Sequence, residues 1–308
     1  MVEYIGKVKM NYGCYTGDDL YSDGSVEDEL LDIAKTYREE RFSTIIADKQ
    51  SWPVLYHLSH YRKNLLEWLP ISKNDTILEI GAGCGGVTSC LSDKAKSVTC
   101  IELSKRRSLI NAYRNQHRAN IEIRVGNFED VEKTLDETYD YITLIGVLEY
   151  GALYISGEHP YENFLKIVKK HLKPNGKLII AIENKLGMKY WAGCREDHNG
   201  LMFESIEGYS NASKIQTFSR LELEQLLQKA GLREFSFYYP YPDYKLPIFI
   251  YSDSYLPNPA DLQKNILNFD QDRLLMFDEA KAFASVIKAG AFPLFANSYL
   301  IVAGREGI

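Results

Sequence analysis

From Asp75 onward the apolar positions gather into short solid blocks, separated by longer stretches with a helical period. DTILEIG (75–81), SVTCIELS (97–104), IEIRVGNF (121–128), YDYITLIGVLEY (139–150) and KLIIAIEN (177–184) read as buried strands. Residues 86–93, KRRSLINAYRNQH (105–117) and ENFLKIVKKHLK (162–173) read as helices, the last stopped by Pro174 with Asn175-Gly176 as the turn. Strands that alternate with helices predict βαβ units and an α/β fold with a parallel sheet covered on both faces.

The flanks are less regular. Residues 1–25, rich in Tyr, Gly and Asp, read as an irregular arm. VEDELLDIAKTYREER (26–41) is an amphipathic helix, with Asp23 or Ser25 as its cap and an acidic first turn that suits the helix dipole. A second helix is predicted over 53–69, between Pro53 and Pro70. Beyond 184 the period lapses until FSRLELEQLLQKAGL (218–232), a helix with a Ser219/Glu222 capping box and Gly231 at its end. REFSFYYPY and FANSYLIVAG (295–304) are strands, and 261–290 is predicted to be helical.

Net charge of -6 gives no basic face for nucleic acid, so a nucleic-acid partner is not expected. Five cysteines without a CxxC pair suit a reduced, cytoplasmic protein with no structural zinc. No apolar run has the length of a membrane span, so membrane insertion is not expected. Tyrosine is abundant, at 22 residues with a cluster over 238–255, which suits the wall of a ligand site or a half-buried surface.

The chemistry begins at LEIGAGCGGVT (78–88). A strand, a Gly-rich turn and a helix are a nucleotide-binding arrangement, because glycine lets ligand approach backbone N–H groups. Gly81, Gly83 and Gly86 fit the dinucleotide spacing, while Gly81, Gly83 and Gly85 fit a GxGxG loop, so spacing alone leaves both open. Glu102, at the end of the second strand, is placed to accept from ribose hydroxyls. Asn127 can pair with adenine and Phe128 can pack on its face.

LEIGAGCGG, IELS, GNFED, YDYITLIGVLEY and LKPNGKLIIAIEN resemble, in order and spacing, the motifs of the class I S-adenosylmethionine-dependent methyltransferases. The resemblance implies a Rossmann-like fold with a seven-stranded, mostly parallel sheet of order 3-2-1-4-5-7-6, an N-terminal helical extension and an insertion before the last strand. It implies an arm and helical lid over 1–70 and a methyltransferase domain over 71–308, with 185–216 and 240–292 on the acceptor side. S-adenosyl-L-methionine is the implied cofactor. Gly81, Ala82, Gly83 and Gly85 would line its methionine part, Glu102 would hold ribose, and Asn127 (where the family commonly has Asp) and Phe128 would hold adenine. Leu103 and Gly146 complete that set, with Arg62 on the methionine carboxylate. Segments such as ENKLGMKYWAGCREDH and YYPYPDYKLP resemble a bacterial subgroup found beside glycosyltransferases of surface-polysaccharide assembly. That implies a small-molecule or glycan acceptor, O-methylation, and a glycosyltransferase as a partner.

Methyl transfer from a sulfonium needs alignment and, for a hydroxyl acceptor, a base within reach. The candidates are His198, with Asp197 beside it, Glu149 and Glu183. Tyr150, Tyr190, Trp191, Asp197, Tyr241 and Asp243 are candidate acceptor contacts. Their spacing supports no metal site. A nicotinamide-type oxidoreductase and a non-catalytic binding module are the alternatives.

Overall fold

Ile77, Leu78 and Ile80, with Val98, Cys100 and Ile101 on the next strand, are all buried, and they make the solid apolar blocks into the middle of a sheet. A computed structural model describes residues 1–17, 24–155, 157–209, 214–262 and 273–305. Its strands are β1 (Val2–Ile5), β2 (Val8–Cys14), β3 (Thr76–Ile80), β4 (Ser97–Glu102), β5 (Ile121–Gly126), β6 (Tyr139–Ile145), β7 (Leu172–Glu183), β8 (Glu234–Tyr241), β9 (Phe249–Ser252) and β10 (Ser298–Gly304).

Two compact units divide the chain: Met1–Ile145 with Ile167–Ile179, and Gly146–Lys166 with the residues from Ile180 onward. Strand β7 contributes residues to both. In the first unit the strand order is β1-β2-β5-β4-β3-β6-β7, and β2, β5, β4, β3 and β6 are parallel. In the second it is β7-β10-β8-β9, with β8 antiparallel to both β10 and β9. The expected 3-2-1-4-5-7-6 order is therefore present as β5-β4-β3-β6-β7 in one unit and β7-β10-β8 in the other. Three strands were not expected: β1, β2 and β9.

The first two overturn the irregular arm. Val8 and Met10 are fully buried, and the backbone between Lys9 and Asn11 pairs in parallel with β5. Their alternation is only three apolar positions long, and the surrounding Tyr and Gly conceal it. The helix expected over 53–69 is also broken. It runs Trp52–Leu58, stops at an extended Ser59 whose Oγ accepts from Tyr61 N–H, and resumes as a tight turn at His60–Lys63. A local side-chain bond offers the backbone an alternative to helix, and here it wins.

Other boundaries move less. β6 ends at Ile145, short of Tyr150, and β7 starts at Leu172, so Pro174 and Asn175-Gly176 lie inside a strand. The capping box at Ser219 and Glu222 forms as expected. Ser25 stands at the start of the Val26–Thr36 helix but makes no side-chain cap, and Asp23 lies outside the described residues. Of 261–290, residues 263–272 lie outside the described residues and the helix that follows is Glu279–Lys288, capped by Asp278.

In the first unit, Leu30 and Ile33 of the Val26–Thr36 helix share a core with Phe42, Val54, Leu58 and Ile110. Each large side chain so buried stabilises the unit by about 1.5–3 kcal/mol. The acidic first turn does more than suit the dipole. Glu27 forms a buried ion pair with Arg107 at 2.7 Å, and Asp28 pairs with Arg106. Nearby, Glu39 takes Arg114 Nε at 2.8 Å and Lys63 Nζ at 3.1 Å.

Burial alone would raise the Glu39 carboxyl, but Arg114 and Lys63 outweigh it and lower it from 4.5 to about 2. Its contribution is thus complete above pH 4.5 and is lost as pH falls from 4.5 towards 2. At neutral pH it is on the order of 2–3 kcal/mol. We predict that Glu39→Gln lowers stability at pH 7 and flattens the acid limb of a denaturation midpoint against pH. An acid limb of unchanged slope in the variant would place that proton uptake on other carboxylates.

Candidate active site

The glycine loop leaves β3 at Ile80 and is fastened from below. Gly81 and Ala82 N–H both donate to Ile101 O, at 2.9 and 3.2 Å, so the loop is hung on the end of β4. Gly83 N–H donates to Glu102 Oε2 at 2.7 Å, and Ser104 N–H donates to Oε1 at 2.9 Å. Backbone N–H groups thus occupy both carboxylate oxygens, and an ionised carboxylate has further lone pairs with which to accept from a ribose hydroxyl. Burial raises the Glu102 carboxyl, against the Ser104 and Gly83 N–H groups and Arg107, which favour its charged form.

Two glycines are required for different reasons. Gly83 has φ +53° and open space where a Cβ would stand, which is the side a ligand can approach. Gly85 has φ +76°, and a Cβ there would fall 2.4 Å from Asn111 Oδ1. Asn111 is held in place because its Nδ2 donates to Thr88 Oγ1, whose hydroxyl donates to the buried Glu79 of β3 at 2.7 Å. Burial pushes the Glu79 carboxyl up to about 7. The sequence reading missed Glu79, Thr88 and Asn111; an acid within the buried LEI block was the available signal.

Arg62 lies against this loop. A Cβ on Gly86 would meet its Nε at 2.4 Å, and the guanidinium stacks 4.2 Å from the Tyr56 ring centre. Its Nε and Nη1 are buried with no hydrogen-bond partner among the described residues. A buried cationic donor left unpaired is costly, so it calls for an anion. The methionine carboxylate of the cofactor fits that need. Asn127 caps the Phe128–Glu132 helix through Glu129 N–H, Leu103 is half-buried, and the Phe128 ring is buried within the protein. These residues of the first unit fit S-adenosylmethionine: open backbone at Gly83, a tethered carboxylate for ribose and a waiting guanidinium.

The second unit contains a buried network of charge. Gly146, Glu149 and Tyr150 follow directly on β6, and Glu183 ends β7. Glu149 is 1% exposed and Glu183 0%. His198 Nδ1 lies 2.9 Å from Glu196 Oε1, and its Nε2 lies 3.7 Å from Glu149 Oε1. Burial would lower the His198 pKa, but the bonds to Glu149 and Glu196 raise it well above its ordinary value. That opposes the expected role as base, because an imidazolium has no free electron pair to give. Burial raises the Glu149 carboxyl. Glu183 moves the other way: burial would raise it, yet Lys245 Nζ at 2.8 Å holds it below the usual range.

Asp197 does not orient His198. It is gripped by Lys189 at 2.8 Å and by Lys245, and Tyr190 OH donates to its Oδ2 at 2.5 Å. The orienting carboxylate is Glu196, whose Oε2 also accepts from His198 and Asn199 N–H. Tyr150 sets its ring edge-on to His198 at 5.5 Å, and Asp243 caps the turn that presents Lys245. Tyr241 instead packs on Phe283, and Trp191, 41% exposed, donates to Leu186 O; neither joins the network. Glu196, Lys189 and Lys245 were missed, although the charges in CREDH and the lysines of GMK and DYK are signals for such a network.

Among the described residues no helix is long and apolar enough to cross a membrane. A family model described as a methyltransferase domain matches residues 51–234. The chain is 27% identical to an uncharacterized methyltransferase of Staphylococcus carnosus over 152 residues, 49% of this chain and 67% of that one. It is 27% identical to the ubiquinone biosynthesis O-methyltransferase of Rickettsia akari over 136 residues, 44% of this chain and 48% of that one, so the match spans about half of that relative. A solved SAM-dependent methyltransferase of Thermotoga maritima, described as a possible histamine N-methyltransferase, superposes over 87% of this chain and 99% of its own, at 18% identity and a TM-score of 0.46. The family's pattern covers more than half of the chain, with the glycine loop, Glu102 and Asn127 inside it, and the chain belongs to the methyltransferase-domain family, with the class I fold.

Proposed function

We propose that this protein transfers the methyl group of S-adenosylmethionine to a hydroxyl of a small, polar, carbohydrate-like acceptor. The observation that carries the cofactor reading is Arg62, whose buried Nε and Nη1 have no hydrogen-bond partner among the described residues, beside a loop whose Gly83 is open on its Cβ side. Gly81, Ala82, Gly83 and Gly85 would cradle the methionine part, Glu102 the ribose, and Asn127 the adenine. Bound there, the cofactor supplies an electrophilic methyl group on a sulfonium. With the cofactor supplying that methyl group, the protein's part would be to hold the acceptor hydroxyl in line with it and to take the hydroxyl proton on a base.

Electrostatics favour Glu149 as that base over its two rivals. His198 is held protonated, and Glu183 is pinned by Lys245 as a weak base. Glu149 Oε2 has no hydrogen-bond partner among the described residues, and burial makes this carboxylate more basic than usual. Lys189, Asp197, Asp243 and Lys245 suit the hydroxyls of a polyol, with Tyr150 as a flat neighbour. The dinucleotide alternative shares the glycine spacing, but the family match favours methyl transfer.

Three measurements test this. Gly83→Val should abolish S-adenosylmethionine binding in calorimetry while leaving the far-UV spectrum unchanged; retained affinity would remove the loop from the site. Arg62→Met should weaken binding by about 1.5–3 kcal/mol, the worth of a charged hydrogen bond. Decarboxylated S-adenosylmethionine should then bind wild type and variant alike. If Arg62→Met still prefers the carboxylated cofactor, another group holds that carboxylate.

With a hydroxyl acceptor, Glu149→Gln should lower turnover by about 10²–10⁴-fold, the usual worth of a positioned base, with cofactor affinity unchanged. Glu149 is active only when ionised and its pKa is raised. The acid limb of wild-type turnover should therefore lie above the ordinary carboxylate range, with activity rising as pH rises, and the variant should lack it. An acid limb that survives in Glu149→Gln would assign the base elsewhere.

A further inference from the structure

Glu149, Glu183 and His198 come from three separate segments: the turn after β6, the end of β7 and the CREDH loop. One carboxylate oxygen from each acid and one ring nitrogen of the histidine lie within 4.8 Å of one another. Donors around one cation at bonds of about 2.0–2.2 Å stand roughly 3–4 Å apart, so small side-chain rotations bring these three onto a common centre.

A second observation points to a ligand. Glu149 Oε2 and Glu183 Oε2 are buried and have no hydrogen-bond partner among the described residues, although both side chains are almost wholly removed from water. Buried carboxylate oxygens normally find a donor. Lys245 engages Glu183 only through Oε1.

The histidine has the support expected of a ligand. Nδ1 meets the buried carboxylate of Glu196 at 2.9 Å, and that carboxylate is itself fixed by two backbone N–H groups. This carboxylate–imidazole pairing orients a metal-binding histidine, and an ion arriving at Nε2 displaces to solvent the proton that His198 otherwise holds there. Here Nε2 is the atom turned towards Glu149. Around it stand five carboxylates, Glu149, Glu183, Glu196, Asp197 and Asp243, against the ammonium groups of Lys189 and Lys245. That excess of negative charge suits a dication.

We propose that Glu149, Glu183 and His198 bind one divalent cation, with Glu196 as the positioning residue for His198. Two carboxylates and one imidazole suit a borderline first-row ion such as Mn2+ or Zn2+ rather than Mg2+. Open coordination positions would be available to water or an acceptor hydroxyl. An ion on Glu149 lowers the basicity of its carboxylate, so the raised acid limb of turnover belongs to the ion-free protein.

The test uses the full chain, treated with chelator and titrated with MnCl2 while free Mn2+ is followed by electron paramagnetic resonance. We expect about one tight site per chain. Glu149→Gln/Glu183→Gln should weaken it by about 100-fold and Glu196→Gln by about tenfold. Asp253→Asn, a change at an exposed carboxylate paired with Arg220, should leave it unchanged. Absence of a site tighter than surface carboxylates provide, or equal affinity in the double variant, overturns the proposal. Should the double variant fail to fold, the electron spin echo of Mn2+ on the wild type decides: modulation from an imidazole nitrogen is expected, and its absence overturns the assignment. No methyl transfer enters these measurements, so their failure leaves the methyltransferase reading standing.

Discussion

The first unit depends on one carboxylate with two backbone bonds. Glu102 takes Gly83 N–H on one oxygen and Ser104 N–H on the other, which locks the glycine loop to the turn after β4. A carboxylate buried this deeply would resist ionisation without those donors. The same two bonds shape the loop and orient the free lone pairs of the acid. In the proposed reading, structure and ribose recognition would share one group, and the loop would have little freedom to rearrange around a different ligand.

Arg62 shows how local chain breaks serve a site. A continuous helix over 53–69 would carry this arginine on a regular surface. The interruption at Ser59 starts a new turn, and that turn lays the guanidinium against Gly86 with Tyr56 beneath it. The stacking secures the cation without engaging Nε and Nη1, which have no hydrogen-bond partner among the described residues. In the proposed cofactor reading the guanidinium is thereby placed before the carboxylate arrives, which would reduce the ordering that binding must accomplish.

The parts of this molecule legible in its sequence are those where one short block determines its own role. The buried strands, the glycine loop, Glu102 and the Ser219 capping box are of this kind, since each follows from a few neighbouring residues. The network around His198 is not. Glu149, Glu183, Lys189, Glu196 and Lys245 are spread over almost a hundred positions, and only folding of the second unit brings them to hydrogen-bond range. Asp197 beside His198 invited a local pairing, yet the two point apart: Asp197 pairs with Lys189 and Lys245, and His198 with Glu196 two residues before it. The N-terminal hairpin escaped for a different reason: strand β2 shows too few alternations to stand out, and its pairing partner lies far along the chain.

That last pairing bears on how the chain is made. Lys9 stands opposite Glu122 in the parallel register of β2 and β5. Strand β2 must therefore wait for the synthesis of more than a hundred further residues before its own edge can be covered. Until then Val8 and Met10 are exposed, and a waiting strand edge is open to wrong partners. Long-range parallel pairing of this kind is slow to form. Strand β2, made before β5, is thus among the last that the sheet can accept.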